Sequence, residues 1–263
     1  MQEYIKVDQR LHQLAQLLAK AGRTFVPKKD DDSHTSLSFD PMGQRILTHP
    51  FGDNPRSLGF DLSNQSFMWV GPNRWQIDLV KLAGQTIKEL EDALAKILEE
   101  SKFDSDDYRE DLHFYIPDYK DLPTTFDPLD EQALGEWMYY RRLANQVGNA
   151  LLAYLQTSGA VRIWPHHFDT GVYTMVGGWI NIGYGFAPAD GIVNTPYFYL
   201  SGHPNHGAID YSKADQLSAG QWKTDGEWKG AVLPISDLPQ RHAMRVITKF
   251  VREATDSYLK VIM

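Results

Sequence analysis

Apolar residues recur every three or four positions in four segments of the chain, the spacing that places them on one face of an α-helix. The first segment predicts a helix from about Glu3 to Ala21, ended by Gly22. The others predict helices after Thr86, after Pro128 and near the C-terminus. Thr86 and Glu89 also form the Thr-x-x-Glu pattern of a capping box, in which each residue satisfies a backbone amide at a helix start.

Short runs of β-branched and aromatic residues alternate with turn residues between the first two predicted helices. This alternation indicates an antiparallel meander. The predicted strands are 35–39, 45–48, 57–62, 67–70 and 75–80. A further strand is predicted at Leu112–Ile116, and several more between Ala160 and Ile235.

The order helix, β-meander, helix occurs twice along the chain. It predicts an α+β fold built from two similar halves, with mostly antiparallel sheets packed against long helices. The predicted halves are residues 1–125 and 126–263, and the alternative is one continuous domain. We interpret the repeated order as an internal duplication.

Composition narrows the classes of function. With 263 residues, 42% of them hydrophobic and 23% charged, the chain is long enough to bury a core. Its net charge of −8 and lack of clustered Lys and Arg argue against nucleic acid and anionic membranes as partners. The absence of cysteine excludes disulfides and thiol chemistry. No secretory signal or long apolar run is visible, so we expect a soluble, cytoplasmic protein.

Candidate chemistry concentrates between Arg162 and His206, a stretch with four of the nine histidines and many aromatic residues. Aromatic surfaces with a few polar groups are typical of small-ligand pockets. We therefore predict that this stretch binds a small, partly apolar ligand. The expected ligand-binding residues are Trp164, His166, His167, Asp169, Tyr173, Trp179, Tyr184, Tyr197, Tyr199 and His203.

A metal-dependent hydrolase is the alternative function. If Trp164–Asp169 is a regular strand, His167 and Asp169 share one face while His166 points to the other. Histidine and carboxylate ligands suit zinc or iron, and a metal-bound water would be the nucleophile. The predicted metal ligands are His167, Asp169, His203 and His206. Pro165 favours a bulge that would change these faces.

Two simpler interpretations stay open. The histidines could serve only to hydrogen-bond backbone and aromatic neighbours, and the aromatic residues could form a protein-interaction surface. Gly183-Tyr-Gly185 lacks the third glycine and the helix of a dinucleotide fingerprint, and no phosphate-binding loop motif is present. No cofactor is therefore indicated beyond zinc or iron. The sequence defines neither the reaction nor the oligomeric state.

Three segments of the second half resemble those of an uncharacterised bacterial family, a domain of unknown function. They are Phe168-Asp169, the run Tyr197–Tyr199 followed by Pro204, and Leu233-Pro234. The similarity covers chiefly residues 160–262 and implies an α+β fold with a shared pocket, but no known activity. That family has other residues at positions 166 and 167, so the resemblance favours Asp169 over the histidine pair.

Overall fold

The structure is a computed structural model that describes residues 1–239 and 241–262. It divides into two compact units, one of Met1–Tyr139 with Ile163–Phe168 and one of Tyr140–Arg162 with Asp169–Met263. The described residues form four helices and two antiparallel sheets, which confirms the predicted α+β class. The predicted boundary, after residue 125, lies in the irregular segment before the third helix. No helix among the described residues is long and apolar enough to cross a membrane.

The first unit is a helix followed by a five-stranded meander and a second helix. Helix α1 is Gln2–Phe25 and helix α2 is Ile87–Glu100. Between them lie β1 (Ser38–Asp40), β2 (Arg45–Leu47), β3 (Ser57–Asp61), β4 (Ser66–Val70) and β5 (Gln76–Lys81). Each strand pairs antiparallel with the next, in chain order, as the alternation of strand and turn residues predicts.

Helix α1 runs past its predicted end at Gly22. A β-carbon at Gly22 would lie 2.8 Å from the carbonyl oxygen of His34, so this glycine lets a loop approach the helix closely. Gly22 therefore allows close packing and does not end the helix, so the predicted helix end was wrong. The capping box of α2 is confirmed, because the amide of Glu89 donates to Thr86 Oγ1 at 3.2 Å and the amide of Thr86 donates to Glu89 Oε2 at 2.8 Å.

The long segment between α2 and the next helix has no strand at Leu112–Ile116, so that prediction was wrong. The segment contains a short 3-10 turn at Asp107–Arg109 and an isolated bridge between Thr125 and Thr86. Helix α3 spans Glu131–Leu155. The carboxylate of Asp130 caps this helix by accepting from the amide of Ala133 at 2.8 Å. The helix therefore begins after Asp130 and not at the predicted start near Pro128.

The second unit contains most of a second antiparallel sheet and the last helix. Strand β6 (Arg162–Trp164) spans the boundary between the units, and Ile163 forms an isolated bridge with Leu37 in the first unit. The remaining strands are β7 (Asp169–Val176), β8 (Ile180–Ala187), β9 (Tyr197–Pro204), β10 (Gln221–Lys223) and β11 (Gly230–Pro234). Helix α4 is Ala243–Ile262.

Within the second unit, the strands of this sheet lie in the order β10-β11-β9-β8-β7. Strands β7, β8 and β9 pair in chain order, like the first sheet, but β11 pairs with β9 and places β10 outermost. The last two strands thus depart from the order of the first sheet, and the internal duplication stays a prediction.

Side chains alternate between the two faces of the second sheet. One face packs on α4 and on the part of α3 that belongs to this unit. It carries buried residues such as Ile182, Tyr184, Phe186, Phe198 and Leu200. The register places another set on the opposite face, which we call the outer face. Its members are Asp169, Gly171, Tyr173, Met175, Asn181, Gly183, Gly185, Tyr197, Tyr199, Ser201 and His203.

Candidate functional site

The predicted strand across the histidine pair is a turn in the structure. Residues 165–168 form the turn, and the amide of Phe168 donates to the carbonyl oxygen of Trp164 at 2.7 Å. Phe168 adopts a left-handed backbone with φ 56°. Because the strand ends before the turn, the predicted alternation of side chains across residues 164–169 was wrong. The rings of His166 and His167 instead lie together, with centroids 4.4 Å apart.

Helix α1 holds this turn within the first unit. The carbonyl oxygen of Pro165 accepts from His12 Nε2 at 2.9 Å and from Gln16 Nε2 at 2.8 Å. A carbonyl can only accept, so His12 carries its proton on Nε2, and its Nδ1 contacts the hydroxyl of Tyr119 at 2.6 Å. The His12 ring also stacks on Phe168, with centroids 5.0 Å apart and ring planes 7° apart. Sequence reasoning missed His12, which lies far from the turn along the chain.

Trp164, His166 and His167 therefore belong to an aromatic group of the first unit. His166 packs against Phe114 and Trp164, with ring centroids 5.6 Å and 6.2 Å away. Asp169, the next predicted site residue, begins β7 in the second unit. The described residues include no group of three or more His, Asp or Glu side chains placed to hold a metal ion. The zinc or iron site stays a prediction from the sequence alone.

Two tyrosines of β9 donate hydrogen bonds to carboxylates in the second unit. The hydroxyl of Tyr199 donates to Asp169 Oδ2 at 2.5 Å, and the hydroxyl of Tyr197 donates to Asp190 Oδ2 at 2.8 Å. Asp190 Oδ1 accepts from two backbone amides of the loop that follows it, at 2.8 Å and 3.0 Å. The carboxylates thus fix both phenol rings and brace the loop between β8 and β9.

A tryptophan that sequence reasoning did not select completes this group. The Trp228 ring lies 6.2 Å from Tyr199 at an interplanar angle of 87°, and Tyr197 lies 6.2 Å from Tyr199 at 53°. All three rings pack around the small apolar cluster of Ala187 and Val232. We call Tyr197, Tyr199, Trp228, Asp169 and Asp190 the aromatic–acid cluster. No local motif marks Trp228, because it joins the cluster only through the pairing of β11 with β9.

Both phenols of the cluster stay protonated at neutral pH. Burial raises the pKa of Tyr199 well above its ordinary value, and the charge of Asp169 and its hydrogen bond raise it further. Burial also raises the pKa of Tyr197, with a further contribution from the charge of Asp190. Each tyrosine is therefore a fixed hydrogen-bond donor to a carboxylate.

Glycine on the neighbouring strand makes room for the Tyr199 ring. A β-carbon at Gly185 would lie 2.6 Å from the ring and hydroxyl atoms of Tyr199. Without that side chain, the ring lies against β8 and reaches Asp169. Gly183 and Gly185 are both paired residues of β8.

Tyr173 and His203 form a second, more exposed group on the outer face. Their ring centroids lie 5.7 Å apart, and His203 Nε2 contacts Ser201 Oγ at 3.0 Å. Tyr173 is 57% exposed, and Met175 on the same strand is 43% exposed. This group lies toward the end of the sheet away from Asp169, because Tyr173 is four residues along β7, roughly 13 Å in an extended strand.

Three other predicted residues lie apart from both groups of the second unit. Tyr184 is fully buried on the helix-packed face, where its hydroxyl donates to the carbonyl oxygen of Ala144 at 3.2 Å. Trp179 lies at the β7–β8 turn, and His206 is exposed in the loop after β9. The structure thus brings together Asp169 with the two β9 tyrosines, but not the full predicted set.

Acid should destabilise the second unit partly through His203. Burial lowers the pKa of this imidazole below its usual value of 6.5, so the unfolded chain takes up the proton at a higher pH than the folded chain does. Stability is therefore expected to fall as the pH drops through about 6.5. Melting temperatures of His203→Gln should show a shallower decrease between pH 7 and pH 5.5 than those of the wild type. His206→Gln, a change in an exposed loop, should keep the wild-type dependence of melting temperature on pH. Equal pH dependence in all three proteins would contradict the role given to His203.

Comparisons with protein-family models, curated proteins and solved structures gave no significant match. The similarity to an uncharacterised bacterial family therefore stays a prediction, and the proposals below rest on the residues of this chain.

Proposed function

We propose that the protein binds a small, partly apolar ligand at the aromatic–acid cluster of the second unit. The observation that carries this proposal is the pair of tyrosine–carboxylate hydrogen bonds, Tyr199 to Asp169 and Tyr197 to Asp190. These bonds hold two aromatic rings and two carboxylates in one place, with the Trp228 ring beside them.

The cluster contains the kinds of groups that ligand sites use. Ligand sites combine apolar and aromatic walls with a few placed polar groups. Here Tyr199 and Trp228 are only partly buried, and Asp190 is exposed at the edge of the group. A ligand could therefore contact ring surface and carboxylate oxygen together without unfolding the sheet.

A thermal-shift screen against a broad metabolite panel tests this proposal. A ligand at 100 times its dissociation constant stabilises a protein by about 2.7 kcal/mol, which gives a clear shift in melting temperature. Tyr199→Phe should weaken binding of the hit by about tenfold, since it removes the donor that orients Asp169 and a hydrogen bond to a charged group contributes about 1.5–3 kcal/mol.

Tyr173→Phe is the matched control, because it removes a phenol hydroxyl from the same sheet face outside the cluster. It should leave binding of the hit unchanged. A panel without hits, or a hit that binds Tyr199→Phe as tightly as the wild type, would contradict the proposed site.

The alternative functions stay predictions from the sequence. A hydrolase using His167, Asp169, His203 and His206 with zinc or iron could be checked by metal analysis of the purified protein. The exposed side chains of Trp75 and Ile77, near and on the edge strand β5, agree with the protein-interaction alternative but identify no partner.

A further inference from the structure

If the aromatic–acid cluster is the binding site, its chemistry also constrains the charge of the ligand. The Tyr199 ring lies between two others, with centroid distances of 6.2 Å to Tyr197 and to Trp228 and interplanar angles of 53° and 87°. Steep angles between neighbouring rings present ring faces in different directions. A flat aromatic ligand would instead fit between parallel rings, and the rings here are not parallel.

Ring faces attract cations, because the quadrupole of an aromatic ring places negative charge on its face. The attraction acts within about 6 Å of a ring centroid and is greatest for Trp and Tyr, the two ring types present here. Recognition of quaternary ammonium groups by aromatic residues uses this interaction. The cluster therefore favours a positively charged ligand group over a neutral one.

The carboxylate of Asp190 also favours a cation. Asp190 is exposed and forms no ion pair with Lys, Arg or His in the part of the chain that the structure describes. Its carboxylate accepts hydrogen bonds from two backbone amides and from the Tyr197 hydroxyl. Because Asp190 lies at the edge of the rings, a cation among them would gain Coulomb energy and an anion would lose it.

We propose that the aromatic–acid cluster binds an alkylammonium ligand. Its methyl or methylene groups would pack against Tyr199 and Trp228, and its charged nitrogen would lie near Asp190. This proposal rests on the proposed function, and it adds that the ligand is positively charged.

Three probes of the same shape separate charge from apolar contact. They are choline, its neutral isostere 3,3-dimethylbutan-1-ol, and the anion 3,3-dimethylbutanoate. Isothermal titration calorimetry on the wild-type protein should show choline binding at least tenfold more tightly than the neutral isostere, with the anion weakest. Choline binding should also weaken as NaCl rises from about 50 mM to about 500 mM, because salt screens the attraction to an exposed carboxylate.

Two substitutions test whether choline binds at the aromatic–acid cluster. Asp190→Asn keeps an oxygen that can accept from the loop amides but removes the charge, so it should weaken choline binding about tenfold and weaken binding of the neutral isostere much less. Trp228→Leu removes the ring face and should also weaken choline binding. Asp210→Asn is the matched control, because Asp210 likewise accepts from the backbone amide two residues later and lies outside the cluster. It should bind choline like the wild type.

The outcomes distinguish the two proposals. Equal affinity for choline and for the neutral isostere, both lost in Trp228→Leu, would overturn the cationic class and leave the ligand site standing. Failure of all three probes, together with a metabolite panel without hits, would overturn the proposed function as well. The ratio of choline to isostere affinity is measured on the wild type, so it decides the charge even if a variant fails to fold.

Discussion

Replacing Phe168 by alanine is expected to lower the free energy of unfolding by about 3–5 kcal/mol, the usual cost of removing a buried phenyl ring. Phe168 is fully buried, and its ring stacks on His12 at 5.0 Å and on Trp137 at 5.9 Å. The variant would leave a cavity at the turn that joins the two units along the chain. It would also remove the surface that orients the His12 ring toward Pro165.

Urea denaturation followed by circular dichroism measures this change. Phe114→Ala is the control, because that ring is only partly buried and contacts the surface rings of His113 and His166. It should cost less than half as much as Phe168→Ala. Similar losses for the two variants would show that the packing around His12 contributes less than the structure indicates.

Gly171→Ala is expected to destabilise the second unit by about 3 kcal/mol, the upper end of the usual cost of overpacking. A β-carbon at this position would lie 2.2 Å from the carbonyl oxygen of Tyr184 and 2.9 Å from the Cα of Gly185. Both atoms belong to the backbone of β8, so no side chain can move aside. Strands β7 and β8 would have to separate locally, and the hydrogen bond between Asp169 and β9 would be disturbed.

Gly191→Ala provides the matched control for this change. A β-carbon there meets no atom within 4 Å, so the free energy of unfolding should change by no more than about 0.5 kcal/mol. Thermal and urea denaturation of both variants would measure the difference. If Gly171→Ala were as stable as Gly191→Ala, the close approach of β7 and β8 would be refuted.

Much of the fold could be predicted because its signals act between residues near in sequence. The capping box joins Thr86 and Glu89, which lie three residues apart, and both of its hydrogen bonds form. The meander of the first unit follows from short strands separated by turns, where each strand pairs with the next. Such contacts close only short loops, so their cost in chain entropy is small and local sequence patterns are enough to predict them.

The candidate site could be predicted only in part. Asp169, Tyr197 and Tyr199 were expected in one site, and the pairing of β7, β8 and β9 brings them together. Trp228 and Asp190 were not expected, because Trp228 joins through a non-consecutive strand pair and Asp190 lies in a loop. The histidine pair belongs to the other unit, since Pro165 and the left-handed Phe168 turn the chain before Asp169.

By itself, the sequence determined the α+β class, the chain-ordered first sheet and the start of helix α2, because periodicity and capping operate over a few residues. The tertiary structure alone decided that Gly22 lies inside a helix, that His12 holds the turn at Pro165, and that Tyr199 reaches Asp169. Each of these depends on close contact between segments that are not neighbours along the chain. Their geometry follows from strand register and packing, which no local pattern of residues specifies.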